Sequence, residues 1–86
     1  MIRVEENNPN KFKVKVEEGG SSTTHTVKVD DGYYQKLTGG SISKKELVEK
    51  SFRFLLEREP KESIMSRFDL PVIQRYFSEY ESTIGK

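Results

Sequence analysis

The spacing of apolar residues changes near residue 30, and this change constrains the fold more than any other feature of the sequence. Before it, apolar and polar residues alternate, as in Phe12 and Val14, each of which lies between two lysines. After it, apolar residues recur three or four positions apart, as in Val48, Phe52 and Leu55. Alternation predicts strands with one face on a core, and the longer spacing predicts amphipathic helices. The sequence therefore predicts an α+β domain with the strands first and the helices after them.

The strand part, residues 2–29, is predicted to be a three-stranded antiparallel β-meander. Residues 7–10 and 18–22 consist of asparagine, proline, glycine and serine with one glutamate, a composition typical of turns. We expect Val14 to lie opposite Val27 in the second hairpin, because this register places apolar side chains in pairs on one face.

The helical part, residues 31–84, begins with a short helix that ends at a double glycine. A long amphipathic helix then opens at a capping box made by Ser43 and Glu46. A C-terminal helical pair completes the prediction. The first three predicted helices cover residues 33–38, 43–58 and 60–67. The last has Pro71 in its first turn and apolar residues from Val72 to Tyr80 on one face, and it could extend to Ile84. The 86 residues together form a single domain.

The composition excludes several classes of protein. The chain has no cysteine, so disulfides, thiolate metal sites and cysteine nucleophiles are excluded. No apolar run is long enough to cross a membrane, and the first residues do not form a signal peptide. We therefore expect a cytoplasmic protein without a membrane partner.

No group of residues predicts catalysis. His25 is the only histidine, and it is in phase with Val27 and Val29 on the core-facing side of its strand. Glu17 and Glu18 are close enough to His25 to suggest a weak metal site, but the ligands are too few. The two Gly-Gly-Ser segments lack the lysine spacing of phosphate-binding loops and are interpreted as turns. We predict no enzyme activity, no metal site and no cofactor.

A basic, hydroxyl-rich stripe on the solvent face of the predicted sheet suggests nucleic acid as a partner. Its side chains come from two neighbouring strands, and they are of the types that contact phosphate. The alternative is that exposed strands carry lysine to prevent edge-to-edge aggregation. The net charge of only +1 does not favour the nucleic-acid interpretation. The candidate residues are Lys11, Lys13, Lys15, Thr24, Thr26 and Lys28.

Surplus aromatic residues on the helices suggest a protein-interaction face. A core of this size is too small to bury all of them, and aromatic side chains suit interfaces. The candidate residues are Phe54, Tyr76 and Tyr80, and the predicted partner is an unidentified protein or a second copy of the chain.

Residues 26–57 resemble the ribbon-helix-helix DNA-binding motif. The resemblance lies in the strand from Thr26, the short helix, the glycine turn and the capped helix that opens at Ser43. It implies a dimer in which strands of two chains pair and enter the major groove. Thr24, Thr26 and Lys28 would then face the bases.

The chain as a whole resembles a small uncharacterised prokaryotic protein family, through residues 51–64 and 68–70. That resemblance implies no activity. We therefore predict a small, non-enzymatic binding or regulatory module that acts through protein interaction. The alternative is a dimeric DNA-binding regulator that uses the strand 24–29.

Overall fold

The structure is a computed structural model that describes residues 1–85, and it contains a four-stranded sheet with helices on one face. The elements in chain order are β1 (Ile2–Asn8), β2 (Lys11–Glu18), β3 (Ser21–Lys28), α1 (Asp31–Thr38), α2 (Lys44–Leu56), a 3-10 turn (Lys61–Ser63), β4 (Arg67–Asp69), α3 (Val72–Tyr76) and α4 (Tyr80–Ile84).

The predicted antiparallel meander is present, but its second hairpin has a different register. Val14 lies opposite His25 rather than Val27. The turn is Gly19-Gly20, and both glycines have positive φ, at 61° and 81°. The type I′ form of the two-residue hairpin loop requires positive φ at both positions, and glycine adopts it without strain. The turn geometry therefore sets the register, rather than the pairing of valines.

The prediction of three strands was wrong, because β4 adds a fourth strand parallel to β3. The helix predicted over residues 60–67 is reduced to the 3-10 turn. The Thr26 amide donates to the Ser66 carbonyl at 2.7 Å, and the Leu70 amide donates to the Lys28 carbonyl at 2.9 Å. The open edge of β3 thus supplies hydrogen bonds that this segment could not make within itself, and this favours the strand.

The first two helices begin where local hydrogen bonds cap them. The Asp30 carboxylate accepts from the Tyr33 amide at 3.0 Å and opens α1. The predicted capping box of α2 is confirmed, since the Ser43 hydroxyl accepts from the Glu46 amide at 3.1 Å. Both helices therefore begin within two residues of the predicted positions.

The predicted last helix is two short helices, α3 and α4, separated by an extended residue. Phe77 has φ −133° and ψ 94°, which ends α3. The side chain of Gln74 bridges the break, because its amide nitrogen donates to the Ser78 carbonyl and its oxygen accepts from the Glu81 amide. These two bonds satisfy backbone groups that a continuous helix would have paired internally.

The core lies between one face of the sheet and the helical layer. α2 packs mainly over β1 and contributes most of the buried helical side chains. Tyr80, which is fully buried, shares a hydrogen bond of 2.7 Å with the Ser51 hydroxyl, and Ser51 donates to the Leu47 carbonyl. Since Ser51 has one proton, Tyr80 is the donor in the first bond. The opposite face of the sheet has no covering layer among residues 1–85.

Candidate functional site

An apolar cleft of about 370 Å³ opens on the helical side, between the end of α2, the segment before β4, and α3. Its floor is buried, but two large side chains at its edge are exposed: Met65 at 40% and Tyr76 at 68%. Exposed methionine and tyrosine beside an apolar cleft are typical of protein interfaces. The lining residues are Leu55, Glu59, Ser63, Ile64, Met65, Phe68, Ile73, Tyr76 and Phe77.

Contacts with β3 hold the Met65 wall of the cleft in place. His25 is buried, and its Nδ1 lies 2.8 Å from the Met65 carbonyl oxygen, while its Nε2 lies 2.8 Å from the Thr23 hydroxyl. Because a carbonyl only accepts, Nδ1 carries the proton. This position confirms that His25 is on the core-facing side and gives it a structural hydrogen-bonding role.

Glu59 is the carboxylate that lines this cleft. Partial burial raises the pKa of its carboxyl group. No lysine or arginine nitrogen within residues 1–85 lies within 4.0 Å of it, and the neighbouring Arg58 is paired with Glu79 at 3.0 Å. The cleft therefore combines apolar walls with a negative charge that the described residues do not neutralise.

Of the three aromatic residues predicted to form an interaction face, the structure exposes Tyr76 and buries the other two. Phe54 is 4% exposed, because Tyr80 packs edge-on against it and the Arg58 guanidinium covers its ring at 3.6 Å. Tyr80 is fully buried against Phe54, and its hydroxyl group is satisfied by the bond with Ser51. Phe54 and Tyr80 therefore stabilise the core, and only Tyr76 can contact a partner directly.

The six predicted nucleic-acid residues share the open face of the sheet. Lys15 lies opposite Thr24, Lys13 opposite Thr26, and Lys11 opposite Lys28. Thr26 and Lys11 are half-buried and the other four are exposed. Arg3 on β1 and Arg67 on β4 extend the same face. Sequence reasoning missed Arg67, because it assigned residues 60–67 to a helix.

Among residues 1–85, none of the basic side chains on this open face forms an ion pair. Within the described part of the chain, no carboxylate oxygen lies within 4.0 Å of any of them, whereas the ion pairs lie among the helices. The face carries six basic and three acidic side chains, although the whole chain has a net charge of +1. The basic residues are Arg3, Lys11, Lys13, Lys15, Lys28 and Arg67, and the acidic residues are Glu5, Glu17 and Asp69.

Strand β4 covers the edge of β3 at Thr26 and Lys28, two of the three residues that the ribbon-helix-helix resemblance places in the groove, and leaves the edge open at Thr24. Strand β3 pairs with β2 along its whole length and with β4 over Thr26–Lys28. A strand from a second chain could pair with Thr26 and Lys28 only after β4 had moved away. The side chains of all three residues lie on the open face of the sheet, and the ribbon-helix-helix dimer stays a prediction.

Among residues 1–85, no group of three or more histidine, aspartate or glutamate side chains is placed to hold a metal ion. No helix in this part of the chain is long and apolar enough to cross a membrane. Comparisons with protein-family models, with curated proteins and with solved structures found no match.

Sequence reasoning missed the cleft because it assigned residues 60–67 to a helix. As an irregular segment that leads into β4, this part of the chain places Met65 at the surface and Phe68 against Phe52, with ring centroids 6.0 Å apart. The one available signal was Pro60, which marks a break after α2 but does not define the conformation of the residues beyond it.

Proposed function

We propose that this protein is a small non-enzymatic binding module that holds a short segment of a partner protein in the apolar cleft. The observation that carries the proposal is the exposure of Tyr76 and Met65 at the edge of that cleft. Tyrosine loses little conformational entropy on binding and buries a large area, so it is a frequent hot spot. Single exposed apolar residues are common on protein surfaces. Two exposed apolar side chains beside the same apolar cleft indicate a binding surface.

The charge of the cleft defines the chemistry of the partner. Glu59 lies at an apolar surface without a cation nearby in residues 1–85. A lysine or arginine of the bound segment would pair with it and remove the cost of its partial burial. The segment should therefore combine an aromatic or aliphatic side chain for the cleft with an adjacent basic residue.

A library of random peptides displayed on phage, selected against the folded protein, tests this proposal. We expect the selected peptides to be rich in an apolar residue next to lysine or arginine. Tyr76→Ala should weaken the binding of a selected peptide by about 30-fold, the usual loss at a hot spot. Glu59→Gln should reduce the preference for the basic residue.

Arg75→Ala is the matched control, because Arg75 is exposed on the same helix but does not line the cleft. It should leave peptide affinity unchanged. Selected peptides that bind Tyr76→Ala as tightly as the unmodified protein would contradict the proposal, as would a selection without any shared pattern.

We infer a second candidate function, the binding of a nucleic-acid backbone, from the unpaired basic side chains of the open sheet face. Side chains two positions apart on a strand point to the same face and are about 6.8 Å apart, so Lys11, Lys13 and Lys15 form a row along β2. Because the described residues do not neutralise these charges, they remain available to phosphate oxygens.

Fluorescence anisotropy with a labelled oligonucleotide of about 20 nucleotides tests this second function. We expect affinity to fall steeply with salt, and the double substitution Lys13→Glu and Lys15→Glu to weaken it by more than about tenfold. The control, Lys45→Glu with Lys50→Glu on α2, makes the same change in net charge away from the sheet. Equal losses in both variants would show that only net charge matters and would reject the open face as the site.

A further inference from the structure

Strand β1 forms one edge of the sheet, and its outer side is unpaired within residues 1–85. The Glu17 amide donates to the Met1 carbonyl at 2.8 Å, so residues 1 and 17 exchange hydrogen bonds across β1 and β2. Hydrogen bonding alternates along an antiparallel pair. The backbone groups of Arg3 and Glu5 therefore face β2, and those of Ile2, Val4 and Glu6 point away from the sheet.

The regular part of this edge is short and centred on one residue. Pairing between β1 and β2 is continuous from Ile2 to Glu6, and the register then shifts before Asn8. This bulge twists the strand and ends the straight edge. Five residues remain, with Val4 in the middle.

We propose that a second copy of this chain pairs antiparallel with β1, with Val4 opposite Val4 of the second copy. In this register Val4 pairs with Val4 of the second copy, and Ile2 of each copy pairs with Glu6 of the other. All three pairs are hydrogen-bonded, because the backbone groups of these residues point away from β2. The two sheets become one sheet of eight strands.

Charge complementarity favours the same register. In this register, Arg3 of each copy lies opposite Glu5 of the other copy. Within the chain Arg3 lies opposite Lys15, a residue of like charge, and it has no carboxylate within 4.0 Å in the described residues. The second copy supplies the missing opposite charge, and cross-strand pairs of opposite charge stabilise a sheet.

The pairing is closed, since each copy uses its one β1 edge and no further copy can add there. The opposite edge of the sheet is divided between β4, which has only three residues, Arg67–Asp69, and the part of β3 that β4 does not cover, Ser21–His25. The step between these two strands interrupts the row of outward backbone groups. This inference is independent of the peptide cleft, which lies on the helical side beside β4.

Cysteine cross-linking tests the register directly, because the natural sequence has no cysteine. Arg3→Cys chains mixed with Glu5→Cys chains should form a disulfide between the two variants. Positions 3 and 5 form a non-hydrogen-bonded pair whose Cα atoms are about 4.5 Å apart, within the range that a disulfide spans.

The matched control mixes Lys13→Cys with Lys15→Cys, which are on the same face but one strand further from the edge. We expect the edge pair to cross-link at least about tenfold faster than the control pair. Equal rates would overturn the proposal. Each variant replaces an exposed side chain, and circular dichroism checks that it is folded.

Charge reversal provides a second, independent test by light scattering across a range of protein concentrations. Arg3→Glu places two like charges opposite each other at both ends of the pair, so it should shift the chain toward the monomer. Adding Glu5→Arg to the same chain restores opposite charges and should restore the dimer. If the double variant is as monomeric as Arg3→Glu, the proposed register is wrong.

Discussion

Glu59 and Glu62 are three positions apart, yet their surroundings move their pKa values in opposite directions. Partial burial raises the pKa of Glu59 above the ordinary value of 4.5. The hydrogen bond from Lys61 lowers the pKa of Glu62 below it. The negative charge of Glu59 therefore lowers the free energy of unfolding, and the negative charge of Glu62 raises it.

We predict that Glu59→Gln raises the free energy of unfolding at pH 7, because glutamine removes a charge that is costly to hold in the cleft. The gain should shrink as the pH falls through the raised pKa and be lost below 4.5, where the glutamate is neutral in both the folded and the unfolded chain. Urea unfolding from neutral to acidic pH measures the difference.

Glu62→Gln should have the opposite sign at neutral pH and is the control for this pair. It removes a stabilising charge, so the loss should be present above 4.5 and vanish as the pH falls through the lowered pKa. If both variants shift stability in the same direction at pH 7, burial of Glu59 is not the cause of the difference.

At the scale of single elements, helix ends are predictable where the capping groups are close in the chain. Asp30 caps α1 and Ser43 caps α2, each through the amide three residues later. Such bonds need no partner from another element, so the local sequence contains all the information. The broken helix after residue 72 is different, because its break depends on Gln74 reaching two backbone groups four and seven residues away.

At the scale of the whole molecule, Lys44 connects three parts of the chain. Its ammonium group donates to the Pro9 carbonyl at 3.0 Å and to the Asn10 side-chain oxygen at 2.9 Å. It also pairs with the Asp31 carboxylate. One largely buried side chain thus joins the first turn of the sheet to the start of α1 and the start of α2.

We predict that Lys44→Met lowers the free energy of unfolding by about 1–3 kcal/mol, because several bonds to a charged group are lost together. Lys45→Met is the matched control, since Lys45 is exposed and makes no ion pair within residues 1–85. It should change stability by less than about 0.5 kcal/mol. Urea unfolding of the two variants distinguishes them, and equal losses would contradict the connecting role of Lys44.

The sequence by itself determined those features that depend on near neighbours in the chain. The alternation before residue 30 predicted the meander and the shared face of Lys13, Lys15 and Thr24, because side chains of a strand alternate between its two faces. The capping box of Ser43 and Glu46 predicted where α2 begins. These features depend on local geometry, which a short stretch of sequence specifies.

Only the tertiary structure decided which of the aromatic residues is exposed and where the last strand forms. Tyr76 and Tyr80 are four positions apart and share a predicted helix face, but only Tyr80 is buried, packed against Phe54 with its hydroxyl bonded to Ser51, 29 positions away. Residues 67–69 form a strand because the edge of β3, some 40 positions earlier, is open to them. Burial and pairing of this kind depend on distant partners, so periodicity within a segment cannot specify them.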